Sequence, residues 1–146
     1  MLNDNLSATG KLKIELYDGF GGLKSSETVD NLVVATGLSF IASRMDGTSP
    51  AIMSHMAIGS GSAAAILANT TLGSELGRVA LFSTSVAANA ITYSASFGAG
   101  VGTGAITEAG MFNAASAGTL LCRTVFSAVN KSAVDTLAIT WVVTIS

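Results

Sequence analysis

The sequence predicts a mainly β fold: an antiparallel β-sandwich or jelly-roll-like barrel with one short helix near 37–45. Three observations carry this. Apolar and polar residues alternate with a period of two through most of the chain. The alternating runs are short and are separated by Gly, Asn, Asp and Ser at positions suited to turns. Helical spacing of apolar residues shows itself most clearly between Thr36 and Met45.

Taken in order, residues 1–10 read as a polar N-terminal arm, followed by a single β domain over 11–146. Leu12, Ile14 and Leu16 alternate with Lys11, Lys13, Glu15 and Tyr17, which describes a strand with one buried and one wet face. Asp18-Gly19-Phe20-Gly21-Gly22 supplies turn chemistry, and the chain returns through Leu23 to Val29. Asn31 to Val34 is a short apolar run. Thr36 is placed to cap a helix over Leu38 to Met45, with Leu38, Ile41, Ala42 and Met45 on one face. Pro50, the only proline, marks the loop Asp46 to Pro50, which joins two parts of one sheet system.

Strands are then expected over Ser54–Ile58, Arg78–Ser85, Ala90–Phe97, Ala105–Phe112, Thr119–Phe126 and Leu137–Ile145. A hairpin with Asn113 opposite Gly118 would set Glu108 across from Arg123, among Ile106, Phe112, Leu121 and Val125. If that face is buried, the two charges need each other as a structural ion pair. In the last strand Leu137, Ile139, Trp141 and Val143 share a face. With Leu12, Ile14, Leu16 and Phe97 they form the expected core. An uncharged strand of this kind is a hazard at a sheet edge, so it should be central, covered or paired with a neighbouring subunit.

Charge is distributed unevenly. The seven basic and nine acidic residues fall ten in positions 1–46 and six in the last hundred. A monomer normally keeps a mixed-sign charged surface, so the uncharged remainder points to surfaces that meet protein, with the few remaining charges paired. A net charge of −2 without a basic cluster argues against nucleic acid. Mean hydropathy is +0.58, yet every apolar run is broken before the roughly 18 residues of a membrane helix, and no basic and apolar leader opens the chain. The Asn-x-Ser/Thr matches at Asn5, Asn69 and Asn130 are read as chance.

Chemistry-bearing motifs are scarce. His55 is the only histidine and Cys122 the only cysteine, which excludes HExxH, thiolate clusters and an intrachain disulfide. A Ser-His-Asp arrangement stays formally open through His55, but Gly59-Ser60-Gly61-Ser62-Ala63 is not a nucleophile elbow. Gly19–Gly22, Gly59–Gly61 and Gly98–Gly104 lack GxGxxG spacing, and Gly10-Lys11 is not a P-loop. The glycines after Phe97 read as a flexible surface loop. Asp4, Asp18, Asp30 and Asp46 offer no acid and base flanking one cleft. Six Phe, two Tyr and one Trp are just enough for a core, leaving no aromatic marked for sugar stacking. The chain is expected to be no enzyme and to need no cofactor or metal.

Several segments carry a resemblance. Asn31-Leu32-Val33-Val34, Gly37, Ile41-Ala42-Ser43-Arg44, Met56 to Gly61, Leu72 to Arg78, Ile106 to Asn113, Arg123 to Phe126 and Leu137 to Trp141 together resemble small structural proteins of tailed-bacteriophage morphogenesis clusters. The resemblance implies a virion protein assembled in the host cytoplasm, either a capsid decoration (cement) protein or a tail or tail-fibre module. A carbohydrate-binding module is a further alternative. With no heptads or fibrous repeat, a decoration role is favoured. Its expected partners are copies of itself, as a homotrimer, and the major capsid protein or other virion proteins.

Overall fold

The computed structural model describes residues 6–47 and 50–146. In chain order the elements are β1 (Ala8–Tyr17), β2 (Leu23–Val33), α1 (Ala35–Ser43), β3 (His55–Gly59), β4 (Glu75–Ala80), β5 (Ser83–Ala87), β6 (Ala90–Phe97), β7 (Gly104–Phe112), β8 (Leu120–Lys131) and β9 (Thr136–Ile145). The strands form one curled antiparallel sheet in the order β4-β3-β7-β8-β2-β1-β9-β6-β5. The chain is therefore mainly β, a half-barrel with one short helix.

Alternation in β9 organises one half of the sheet. β9 lies between β1 and β6, so its inward residues have partners on both sides. Leu137 stands between Leu16 and Phe97, Ile139 between Ile14 and Ala95, and Trp141 between Leu12 and Tyr93. All of these are buried, as is Val143. Each large apolar side chain so enclosed contributes about 1.5–3 kcal/mol relative to exposure.

The sheet folds over on itself at β2. From Leu23 to Asn31 this strand pairs with β1, while Leu32 and Val33 pair with Arg123 and Cys122 of β8. β8, β7, β3 and β4 thus form the opposite wall, and Met56, Ile58, Ile106 and Met111 fill the space between the walls.

The strand expected over Arg78–Ser85 is two strands at opposite edges. Leu81 donates its N–H to the Ser54 carbonyl beside β3, whereas the Phe82 N–H goes to Ser94 of β6. Consecutive residues bond to opposite walls, and the curl is what allows it.

Residues 8–10 of the expected arm belong to the first strand. β1 begins at Ala8, with Ala8–Gly10 paired to Ile145–Val143 and Ser7 exchanging backbone bonds with Ser146. Residues 1–5, including Asp4 and the Asn5 match, lie outside the described residues, as do Thr48 and Ser49 of the expected loop.

The helix starts earlier and its inward face is shifted, with Ile41 of the expected face packing against the core. Its N-cap is Val34, without a side-chain bond, and the Thr36 hydroxyl donates instead to the Leu120 carbonyl at 2.7 Å. Gly37 and Phe40 are the buried positions, while Leu38 and Met45 are exposed. The reason is close approach, since a Cβ on Gly37 would collide with the Leu121 carbonyl.

The β7–β8 register also differs. Phe112 pairs with Leu120, so the loop spans 113–119, and a bulge then sets Met111 against Cys122 and Glu108 against Val125. A longer loop and a bulge shift the register by two residues in all, which keeps every side chain on its face. Arg123 becomes the diagonal neighbour of Glu108 rather than its direct partner.

Candidate functional site

Glu108 lies on β7 with no exposed surface, and Arg123 on β8 is 2 % exposed. Arg123 reaches Glu108 Oε1 through Nη2 at 3.0 Å and Nε at 3.1 Å. The carboxylate also accepts three backbone N–H groups from the β3–β4 connection: Gly61 at 2.6 Å, Gly73 at 2.7 Å and Ser74 at 2.7 Å. A side chain at Gly61 would run into that carboxylate. Burial pushes the Glu108 carboxyl up, but the three amides and the guanidinium outweigh it and hold it below the usual carboxylate value.

The network continues outward. Arg123 Nη1 donates to Asn69 Oδ1 at 3.0 Å, the same oxygen accepts the Ile66 N–H, and the Leu67 carbonyl accepts the N–H of Ala35. The buried pair therefore fixes a loop whose Ile66 and Leu67 side chains face solvent.

The other late charges are used in the same way. Arg78 of β4 lies over the Phe112 ring, 3.8 Å from its centroid, forks onto Glu75, and donates to the Ala114 and Ala117 carbonyls of the 113–119 loop. Lys131, buried at the end of β8, donates to the Gly98 carbonyl at 2.8 Å. Burial lowers its affinity for a proton, opposed by Asp135. Asp135 is held below the ordinary carboxylate value by Lys24, at 2.8 Å, and by the Ser132 N–H. The loop after Phe97, read from sequence as a flexible surface segment, packs instead: Gly102 is buried against Ile58, and Gly100 bonds to Ala133.

All six charges after Asp46 thus take part in pairs or loop-holding bonds, and the surface around them is largely uncharged, with small polar residues and several large apolar ones. Ile52, Ile66, Leu67, Leu76, Phe82, Val86 and Val134 are exposed there.

Phe20 joins them from the β1–β2 turn, fully exposed at 102 %. Asp18 Oδ1 accepts the N–H groups of Phe20 and Gly22, both at 2.8 Å, and the Asp18 N–H returns to the Gly22 carbonyl. The ring is displayed on a braced turn, with Gly19 against Val134. Phe20 and Phe82 correct the expectation that the aromatics are used up in the core. A large apolar residue inside an Asp-Gly-x-Gly-Gly turn was the signal, because such a turn offers no interior to fold into.

No catalytic constellation assembles around His55 among the described residues. Its Nδ1 meets the hydroxyl of its neighbour Ser54 at 2.8 Å. Cys122 is buried, and burial pushes its thiol well above the usual range, away from the reactive thiolate. Among the described residues no three His, Cys, Asp or Glu side chains group as metal ligands would, and no helix is long and apolar enough to cross a membrane. A groove on the outer face of β2, β1 and β9 is lined by residues such as Lys11, Lys13, Asp30, Thr140 and Thr144. Compared with protein-family models, with curated proteins and with solved structures, the chain matches none.

Proposed function

We propose that this chain is a non-enzymatic structural protein of a bacteriophage virion, a capsid decoration protein that binds and stabilises the head shell as a symmetric oligomer. The observation that carries the reading is the disposal of charge. A surface on which the late charges hold loops while apolar side chains face outward suits permanent contact with protein better than life as a free monomer. The motif resemblance adds the virion, and the absence of coiled-coil heptads favours the head.

The mechanism is bridging. Each copy covers uncharged surface on its sisters and on several shell subunits, so shell dissociation requires losing those contacts together. Quantifying the chain against the major capsid protein in purified virions tests this. A ratio near one copy per capsid subunit is expected. A few copies per particle would transfer the protein to the tail, the second reading left by the resemblance, and absence from virions would end both.

A further inference from the structure

An open sheet has two edges, and the two edges of this one are built differently. β4 carries Glu75 and Arg78, locked together and tied to the 113–119 loop, and the segment around Gly102 lies against Gly77. Charge on an edge strand is the usual guard against pairing with another chain. β5, Ser83-Thr84-Ser85-Val86-Ala87, has no charge, no proline and no bulge in its pairing with β6, and all five residues are exposed. Thr84 and Val86 stand beside Tyr93 and Ile91, on the core side of the sheet, yet both are exposed. Phe82, two residues before Thr84, is 70 % exposed, as is Val86.

We propose that β5 is a self-pairing edge: two copies of this chain join their Ser83–Ala87 strands antiparallel about a twofold axis through Ser85, making one continuous sheet from two. The occupant is a second copy because the edge is complementary to itself. In the twofold register Ser83 faces Ala87, Thr84 faces Val86 and Ser85 faces its own symmetry mate. No like charges oppose one another, and a β-branched pair forms on the side that lacks cover. Such an isologous contact closes as a pair. It departs from the homotrimer expected from sequence, because a threefold ring would need β5 to meet β4, whose charges are already engaged. The pairing stands on the sheet edge, independently of the virion reading.

Sedimentation of the full chain over a concentration series tests it. The wild type should move from monomer to dimer mass. Ser85→Lys and Ser85→Glu, each checked for a native circular dichroism spectrum, should each stay monomeric, and mixing them should restore the dimer, since opposite charges then meet at the axis. Should either variant fail to fold, Ser85→Cys replaces it. Oxidised glutathione should link that protein into covalent dimers, while Ser96→Cys, on an exposed position of β6, should stay unlinked. A wild type that is monomeric throughout, a trimer, dimers that survive Ser85→Lys, or failure of Ser85→Cys to cross-link would overturn the proposal. Shell attachment is read separately, so loss of the dimer and loss of the virion role are distinguishable.

Discussion

Glu108 is a single side chain on which three backbone amides and a guanidinium converge. Replacing it with alanine strands the buried Arg123, which costs about 3–5 kcal/mol, and leaves three amides without their acceptor. Its pH dependence follows from the sign of its shift. The native carboxyl sits below its unfolded value, so its contribution is full above the unfolded pKa and is lost as pH falls through the native one. Urea unfolding of the wild type should therefore show stability declining below about pH 4.3, the ordinary glutamate value. Glu108→Gln should be less stable at pH 7 and decline less steeply in that acid window. Parallel curves for the two proteins would refute this account. The pair was legible in sequence because two opposite charges sat among apolar residues. The three amide donors were not, because the β3–β4 connection is distant in sequence and reaches Glu108 only after folding.

At the scale of elements, the helix is the instructive case. Apolar spacing selects Leu38, Ile41, Ala42 and Met45 as the inward face; Ile41 does pack against the core, but contact with β8 buries Gly37 and Phe40 and leaves Leu38 and Met45 exposed. Backbone proximity outranks side-chain hydrophobicity here: only a residue without a Cβ lets α1 approach the Leu121 carbonyl. Gly37→Ala should cost about 1–3 kcal/mol as an overpacked contact, despite alanine's better helix propensity, while Leu38→Ala should stay within about 0.5 kcal/mol. Urea midpoints at unchanged m-value decide between the two faces, and the reverse ranking would restore the face read from sequence. The 113–119 hairpin teaches something related. Its strands and faces follow from alternation, whereas loop length and the bulge follow from bonds such as Asn113 Oδ1 accepting the Thr119 N–H at 2.7 Å.

For the whole molecule, what matters is where charge has gone. Ten charged residues lie in the first 46 positions, and the six later ones hold loops in place. If the proposed decoration role holds, attachment to the shell through the remaining uncharged surface should weaken little as NaCl rises from low to moderate concentration, since there is little to screen, and sulfate should strengthen it by favouring apolar burial. Co-sedimentation of the protein with shells across both salts measures this. A steep loss with rising NaCl would count against attachment through the uncharged surface.

The sequence by itself determined the class of fold, most of the strands and the inward faces of strands such as β1 and β9, because period-two alternation and turn residues are local properties that each segment carries alone. The core positions of β1 and β9 and the pairing tendency of Glu108 and Arg123 are of this kind. Only the tertiary structure decided that the run after Glu75 divides between opposite edges, that Gly37 faces β8, that Phe20 stands in solvent, and that β5 is left with β6 as its one neighbour among the described strands. Those features depend on the curl of the whole sheet. They arise from hydrogen bonds and close approaches between residues far apart in the chain, and no local pattern encodes them.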